Sequence, residues 1–285
     1  MEGWVYTKDL QFELQLNWAD TTTLLDDANV NYDFTRGKRA FMVKAGQFKP
    51  GFGRQELTSD NALEFIERSI VSSEFARSRD IGAQVWGAPF GGKLDWRIGV
   101  FNGNGRTTTR NDNDKLQTNV RVTWQPLGKI TSYAEGDVET SDKPQFAIAA
   151  QYESNERTVA ATATTPIDSA DREIFGGDVM FKYKGFSLVG EFFDATTNRR
   201  VAADFDSDGY SLQAGYFFIP KRFEVALRQA QLDLNASRSR DQRAERGVAF
   251  NWFFNKHPHK LQADFRQIEN QATRSMDDEI RLQYQ

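Results

Sequence analysis

Residues 44–87 read KAGQFKPGFGRQELTSDNALEFIERSIVSSEFARSRDIGAQVWG, and the fold turns on how this stretch divides. Its two ends alternate apolar and polar residues as β-strands do. The residues between them, 49–79, do not alternate, and about thirty residues is far more than a hairpin turn uses. Ordering so long a loop costs conformational entropy, so something must hold it. It carries anchors of its own in Phe48, Phe52, Leu57, Leu63, Phe65, Ile66, Ile70 and Phe75. With Ser59 or Asp60 as N-cap, the run NALEFIERSIVSSEF places Leu63, Ile66 and Ile70 on one helical face, which predicts a short helix inside the loop. The plainer alternative is a surface loop with one amphipathic turn.

Outward from the loop the chain keeps a period of two. Leu10, Phe12, Leu14, Leu16 and Trp18 alternate with Gln11, Glu13, Gln15 and Asn17, a pattern that a helix does not produce. The same plan recurs over 28–34, 41–45, 81–85, 94–100 and 120–124. It continues over 145–154, 173–183, 186–195, 208–217, 222–233, 244–254, 260–269 and 278–285. With a short strand over 4–6, this makes about fifteen. The span 127–144 alternates weakly and reads as an extended turn.

The connections alternate too. Long polar stretches (49–79, 103–115, 155–172, 196–207, 234–243, 270–277) take turns with tight ones (36–39, 89–92, 184–185, 219–221, 255–259), the order of an outer-membrane barrel with long outer loops and short periplasmic turns. The expected fold is therefore all-β, a transmembrane antiparallel β-barrel forming a single domain over 1–285. Single-chain bacterial barrels have even strand numbers, so about sixteen strands are expected when complete, with the first strand and a signal peptide preceding Met1.

Composition permits this reading without demanding it. The chain has 285 residues, 39% of them hydrophobic, with a mean hydropathy of −0.63. No apolar run approaches the eighteen or so residues that a spanning helix needs, but barrels look polar on average because alternate residues face a wet lumen. An aromatic content of 13% suits interfacial girdles. The absence of cysteine removes disulfides and thiol chemistry, and a net charge of −4 leaves no nucleic-acid footprint.

Five runs in order, GQFKPGFG (46–53), LTSDNALEFIERS (57–69), RSRDIGAQVWG (77–87), IGVFNGNG (98–105) and WQPLG (124–128), resemble the phosphate-selective porin family of the O and P type. The signature covers roughly 40–128. The resemblance implies a Gram-negative outer-membrane porin surrounded by lipid and lipopolysaccharide, trimeric, without cofactor or enzymatic turnover. It passes small anions of the phosphate or polyphosphate class. It also implies that loop 49–79 folds inward as a constriction, with Lys49, Arg54, Arg68, Arg77 and Arg79 near the narrowest part and Lys44, Arg97 and Arg121 on the wall. For each cation the alternative is a solvated charge or a salt bridge to the wall.

The residues themselves are balanced. Loop cations are matched by Glu56, Asp60, Glu64, Glu67 and Glu74. The lumen-facing set Lys44, Arg97, Arg121, Lys182, Arg228, Arg266 and Arg281 is matched by Glu13, Asp27, Asp33, Asp95, Asp178, Glu224 and Asp264. Anion preference thus rests on the resemblance. Elsewhere, Asp204, Asp206 and Asp208 in DFDSDGY resemble half a calcium loop, but the twelfth position is Gly215, which excludes an EF-hand. A polar hairpin loop is the other reading. His257 and His259 are two ligands without a zinc set. Two rival functions remain open, a barrel sheathing a partner protein and a soluble all-β binding protein.

Overall fold

The computed structural model describes residues 1–17, 24–76, 78–108, 110–130, 133–162 and 166–285; Trp18 and Arg77 lie outside the described residues. Fifteen strands follow one another: β1 (Glu2–Val5), β2 (Thr7–Leu16), β3 (Leu25–Asp33), β4 (Met42–Phe48), β5 (Asp80–Gly87), β6 (Leu94–Phe101), β7 (Gln117–Trp124), β8 (Gln145–Val159), β9 (Asp168–Tyr183), β10 (Phe186–Arg199), β11 (Phe205–Ile219), β12 (Phe223–Asp233), β13 (Arg243–Asn255), β14 (His259–Asn270) and β15 (Ser275–Tyr284). They form one sheet in sequence order, β1 to β15. Antiparallel pairing runs through registers such as Val30↔Ala45 and Phe250↔Ala263.

The sheet is curled into a barrel. Loop residues between β4 and β5 hydrogen-bond to side chains on β8, β9, β10, β13 and β14. In a flat sheet β14 would lie about 48 Å from β4, at about 4.8 Å per strand. The loop reaches it only because the wall comes round.

The two faces are inverted relative to a water-soluble protein. Large apolar side chains point out and stay uncovered, with Trp124 56%, Phe192 57% and Leu227 61% exposed, whereas Arg121, Glu224 and Lys260 are 0% exposed. Burying ions and exposing rings is unfavourable in water and favourable when the outside is lipid and the inside is polar. On β13 the outward residues Val248, Phe250, Trp252 and Phe254 form an apolar band on the order of 20 Å along the strand. Toward the short-turn end, rings meet in Tyr32–Phe34 (4.7 Å), Phe34–Phe41 (5.7 Å), Tyr216–Phe218 (5.2 Å) and Phe223–Trp252 (6.1 Å), the girdle of an interfacial edge.

Several strands outlast their alternation. β8 runs to Val159, β10 to Arg199, and β11 starts at Phe205. Beyond the lipid both faces meet water, so the outward face turns polar while the backbone ladder continues. Glu173, Asp194 and Asp208 stand on that outward face in register with one another's strands.

Candidate functional site

The 49–79 connection does not hold the helix that its apolar spacing predicts. It folds as α1 (Arg54–Leu57), a 3-10 turn (Asp60–Ala62) and α2 (Ile70–Phe75), with 63–69 non-helical between them. The reason is competition for backbone donors. Glu64 N donates to Glu135 Oε2 (2.9 Å), Ile66 N to Asp264 Oδ2 (2.8 Å) and Ile70 N to Glu245 Oε2 (2.8 Å), so these N–H groups serve carboxylates instead of a helix. The N-cap is Ser69, whose Oγ accepts from Ser72 N at 3.1 Å, and not Ser59 or Asp60.

Apolar anchors complete the attachment. Phe52, Val71 and Phe75 pack with Ile174, Phe193, Ala195, Ala230 and Leu232, and Phe65 with Ala226 and Ala249. Gly247 admits Phe65, since a Cβ there would stand 2.8 Å from Phe65 Cε1. The Arg228 guanidinium covers the same ring at 4.0 Å, a cation–π contact. The loop therefore lies against the β8–β14 wall and fills that half of the lumen.

The span read as an extended turn is a second filler. Residues 125–130 and 133–144, on the short-turn side, lie inside the barrel, and the latter meet the loop. Glu135 N donates to Ala62 O (2.9 Å), Thr58 Oγ1 to Tyr133 O (3.0 Å) and Gln55 Nε2 to Glu135 Oε1 (2.9 Å). Val138 packs with Phe217 and Phe253, and Ile130 with Ala147, Met180 and Val189. Weak alternation was the available signal: a segment buried inside a polar lumen follows neither strand nor helix period.

Two openings remain. A cavity of about 790 Å³ lies over the loop itself, lined by Glu56, Asp60, Arg68 and Arg79 with Arg106, Arg157 of β8 and Arg172 of β9. Another of about 420 Å³, lined by Glu13, Asn29, Asn31, Arg39, Lys44 and Trp86, lies against the inner faces of β2–β5.

The structure divides the expected cations between these halves. Arg54 and Arg121 converge on Asp178, Arg54 Nε 2.6 Å from Oδ1 and Arg121 Nη1 2.7 Å from Oδ2. Both are buried, which corrects the expectation that they face the pore. They are wall anchors, because a charge so enclosed is held by its counter-ion and not by a passing solute.

The others edge the open half. Arg79 Nη2 is 2.8 Å from Asp27 Oδ2, Arg97 Nε 2.8 Å from Asp95 Oδ1 and Lys44 Nζ 3.7 Å from Glu13 Oε2. Lys49 Nζ is 3.6 Å from Glu56 Oε1. Arg68 Nε is 3.0 Å from Glu56 Oε2, and Arg68 also pairs with Asp60. Arg106, which the sequence placed only in a flexible polar loop, pairs with Asp26 and lines the larger cavity; its neighbours in GNGRTTTR gave no hint of it.

In most of these pairs the cation is the member nearer the water. The Lys49 side chain is 15% exposed against 8% for Glu56, and Arg106 is 26% against 9% for Asp26. Burial pushes the Glu56 carboxyl above its ordinary range, opposed by Lys49 and Arg68, and pulls the Lys49 ammonium below its own.

The calcium reading fails on secondary structure. Asp206 and Asp208 sit within β11, two residues apart on one outward face, and Asp204 Oδ1 accepts from Arg199 N at 2.7 Å. Among the described residues no group of three or more His, Cys, Asp or Glu is placed to hold a metal ion.

Several solved structures share this architecture. An anion-selective porin from Comamonas acidovorans superposes with a TM-score of 0.62 at 14% identity, covering 93% of this chain and 76% of that one. OprB of Pseudomonas putida gives 0.63 at 12%, covering 95% and 81%. OmpT of Vibrio cholerae in a trimer form gives 0.60 at 7%, covering 100% and 84%. Such identities establish the fold alone. No curated protein matches the sequence. The sequence profile of the family "phosphate-selective porin O and P" matches residues 3–285, and the chain belongs to that family of porins, β-barrels of the Gram-negative outer membrane.

Proposed function

We propose that this porin is a passive diffusion channel for small anions of the phosphate or polyphosphate class, which pass along the open β2–β6 half of the lumen by Arg68, Lys49, Arg79, Arg106, Lys44 and Arg97. The observation that carries the reading is the orientation of the pairs. Carboxylates such as Asp26, Asp27 and Glu56 lie behind, and the longer cations reach toward water. A permeating anion meets N–H donors first, and these replace part of its hydration, while the carboxylates at their backs weaken binding enough for the ion to leave. Guanidinium forks suit oxyanions better than a spherical halide because they can bond two oxygens at once.

The packed half supports a channel over a sheath. It is filled by the chain's own loop and by segment 125–144, and a cavity of about 790 Å³ suits small solutes and not a folded partner. Assembly as a trimer, as in the OmpT form above, and contact of the outer rim with lipopolysaccharide belong to the same proposal.

Reversal potential under a salt gradient in a planar bilayer, with phosphate titrated against chloride current, tests it. Anion selectivity with block by phosphate is expected. Cation preference, or no conductance, refutes it.

A further inference from the structure

Where the loop meets segment 125–144, three acids lie close together out of water. Glu64 of the loop, Glu135 of the segment and Glu224 of β12 are each at most 1% exposed. Glu64 Oε1 accepts from Ser187 Oγ (2.5 Å) and Oε2 from Gln213 Nε2 (2.5 Å), which also donates to Glu135 Oε2 (2.8 Å). Glu224 Oε2 accepts from Asn251 Nδ2 (2.9 Å), whereas Glu224 Oε1 is buried without a donor and closes with Glu64 Oε1 around Gly136. Two ionised carboxylates so placed repel, and a proton on the pair relieves the repulsion.

The surrounding charges agree. Lys260 of β14 donates to Leu63 O (2.8 Å), and Lys182 of β9 to Ala134 O (2.5 Å). Arg54 is met by Asp178, and Arg228, which reaches the cluster through Gln213, by Glu245. Asp137 of the segment also faces Lys182, with its oxygens occupied by Ser141 and Gly185 N. His257, in the β13–β14 turn, faces Lys260 and Lys182, and burial holds it neutral with a pKa of about 3. With Asp137, two lysines face four carboxyls, and a proton on the Glu64–Glu224 pair reduces the excess of negative charge.

The backbone of the segment lies directly on this pair. A Cβ at Gly136 (φ +71) would stand 2.5 Å from Glu224 Oε1 and 3.3 Å from Glu64 Oε1. Only glycine accepts both the left-handed conformation and the approach.

We propose that residues 133–144 are a proton-locked plug: one proton on the Glu64–Glu224 pair holds them on the constriction loop, and loss of that proton as the pH rises forces the carboxylates apart and frees them. Burial raises the Glu64 carboxyl above its ordinary value. A raised acid contributes stability that is complete below its ordinary value and is lost as the pH climbs through the raised one. The plug is seated in acid and loosened in base, whichever ion the channel carries.

The chain has no cysteine, so Val138→Cys, at a position 7% exposed, reports release in the detergent-solubilised barrel. Its rate of reaction with methyl methanethiosulfonate, divided by that of Ser237→Cys in the exposed β12–β13 loop, is expected to rise by up to about ten-fold per pH unit from the ordinary glutamate range to the raised titration point of the pair, and to level off above it. Adding Glu224→Gln keeps a donor to Glu64 and removes the titrating proton, so the ratio is expected to stay at its acid value. A ratio that is flat between about pH 5 and about pH 10, or a rise that Glu224→Gln leaves intact, overturns the plug. The readout is chemical, so it stands apart from whether anions pass.

Discussion

Against the packed loop, Arg121 of β7 and Arg228 of β12 have side chains 0% exposed and locked to Asp178 and Glu245, whereas on the open half Arg79 and Arg97 keep 11% and 16% of their side chains in contact with water against Asp27 and Asp95. The same residue types on the same kind of strand therefore do two jobs. Where loop and segment exclude water, ion pairs attach the filler to the wall. Where water remains, the cation is the more exposed member of most pairs, the edge along which the proposed channel would pass anions. Sign and count of charge do not separate these roles; access to water does.

The largest effect should come from breaking the packed half. Asp178→Asn leaves the Arg54 and Arg121 guanidiniums enclosed without their counter-ion, at a cost of about 3–5 kcal/mol. Lower thermal stability in detergent is expected, with a noisier and larger single-channel conductance as the loop detaches. An unchanged melting temperature would mean that the wall does not depend on this triad. On the open half, Arg79→Gln should reduce anion-over-cation permeability several-fold by reversal potential while costing less stability than Asp178→Asn, because Arg106 still pairs with Asp26 and Arg79 keeps some contact with water. If stability falls instead of selectivity, Arg79 belongs with the anchors.

An intermediate effect is expected from pH. The raised Glu56 carboxyl protonates before an ordinary glutamate does as the pH falls. Lys49 and Arg68 then lose their partner, and anion selectivity should increase on acidification in the parent but stay flat in Glu56→Gln. The smallest effect belongs to Asp60, whose side chain is 71% exposed. Asp60→Asn should raise anion conductance by less than about two-fold, and less still at high salt, as screening of an exposed pair requires.

Much of the barrel was legible in the sequence because one face of each strand meets lipid. Val30 and Tyr32 against Asn29 and Asn31 already mark both the strand and its inner side. Legibility ended where that contrast ended. The outer halves of β8–β11 are polar on both faces, so their ladders could not be told from loops. Residues 133–144 lie inside the barrel and have no lipid-facing side, so no strand period marks them. The predicted helix over 61–75 failed because Asp264, Glu245 and Glu135, distant in sequence, take its backbone N–H groups. Arg54 and Arg79 look alike in a linear reading. Only the arrangement of Asp178 and Asp27 around them separates anchor from edge.

The central claim is that solutes travel along β2–β6 and not along β8–β14. Cysteine block tests it most directly: Lys44→Cys on the open wall and Gln262→Cys on the packed wall, each exposed to an anionic methanethiosulfonate during single-channel recording. The account predicts stepwise loss of current with Lys44→Cys and none with Gln262→Cys. Block at Gln262→Cys with Lys44→Cys unaffected would place the pathway on the other side of the loop and contradict it.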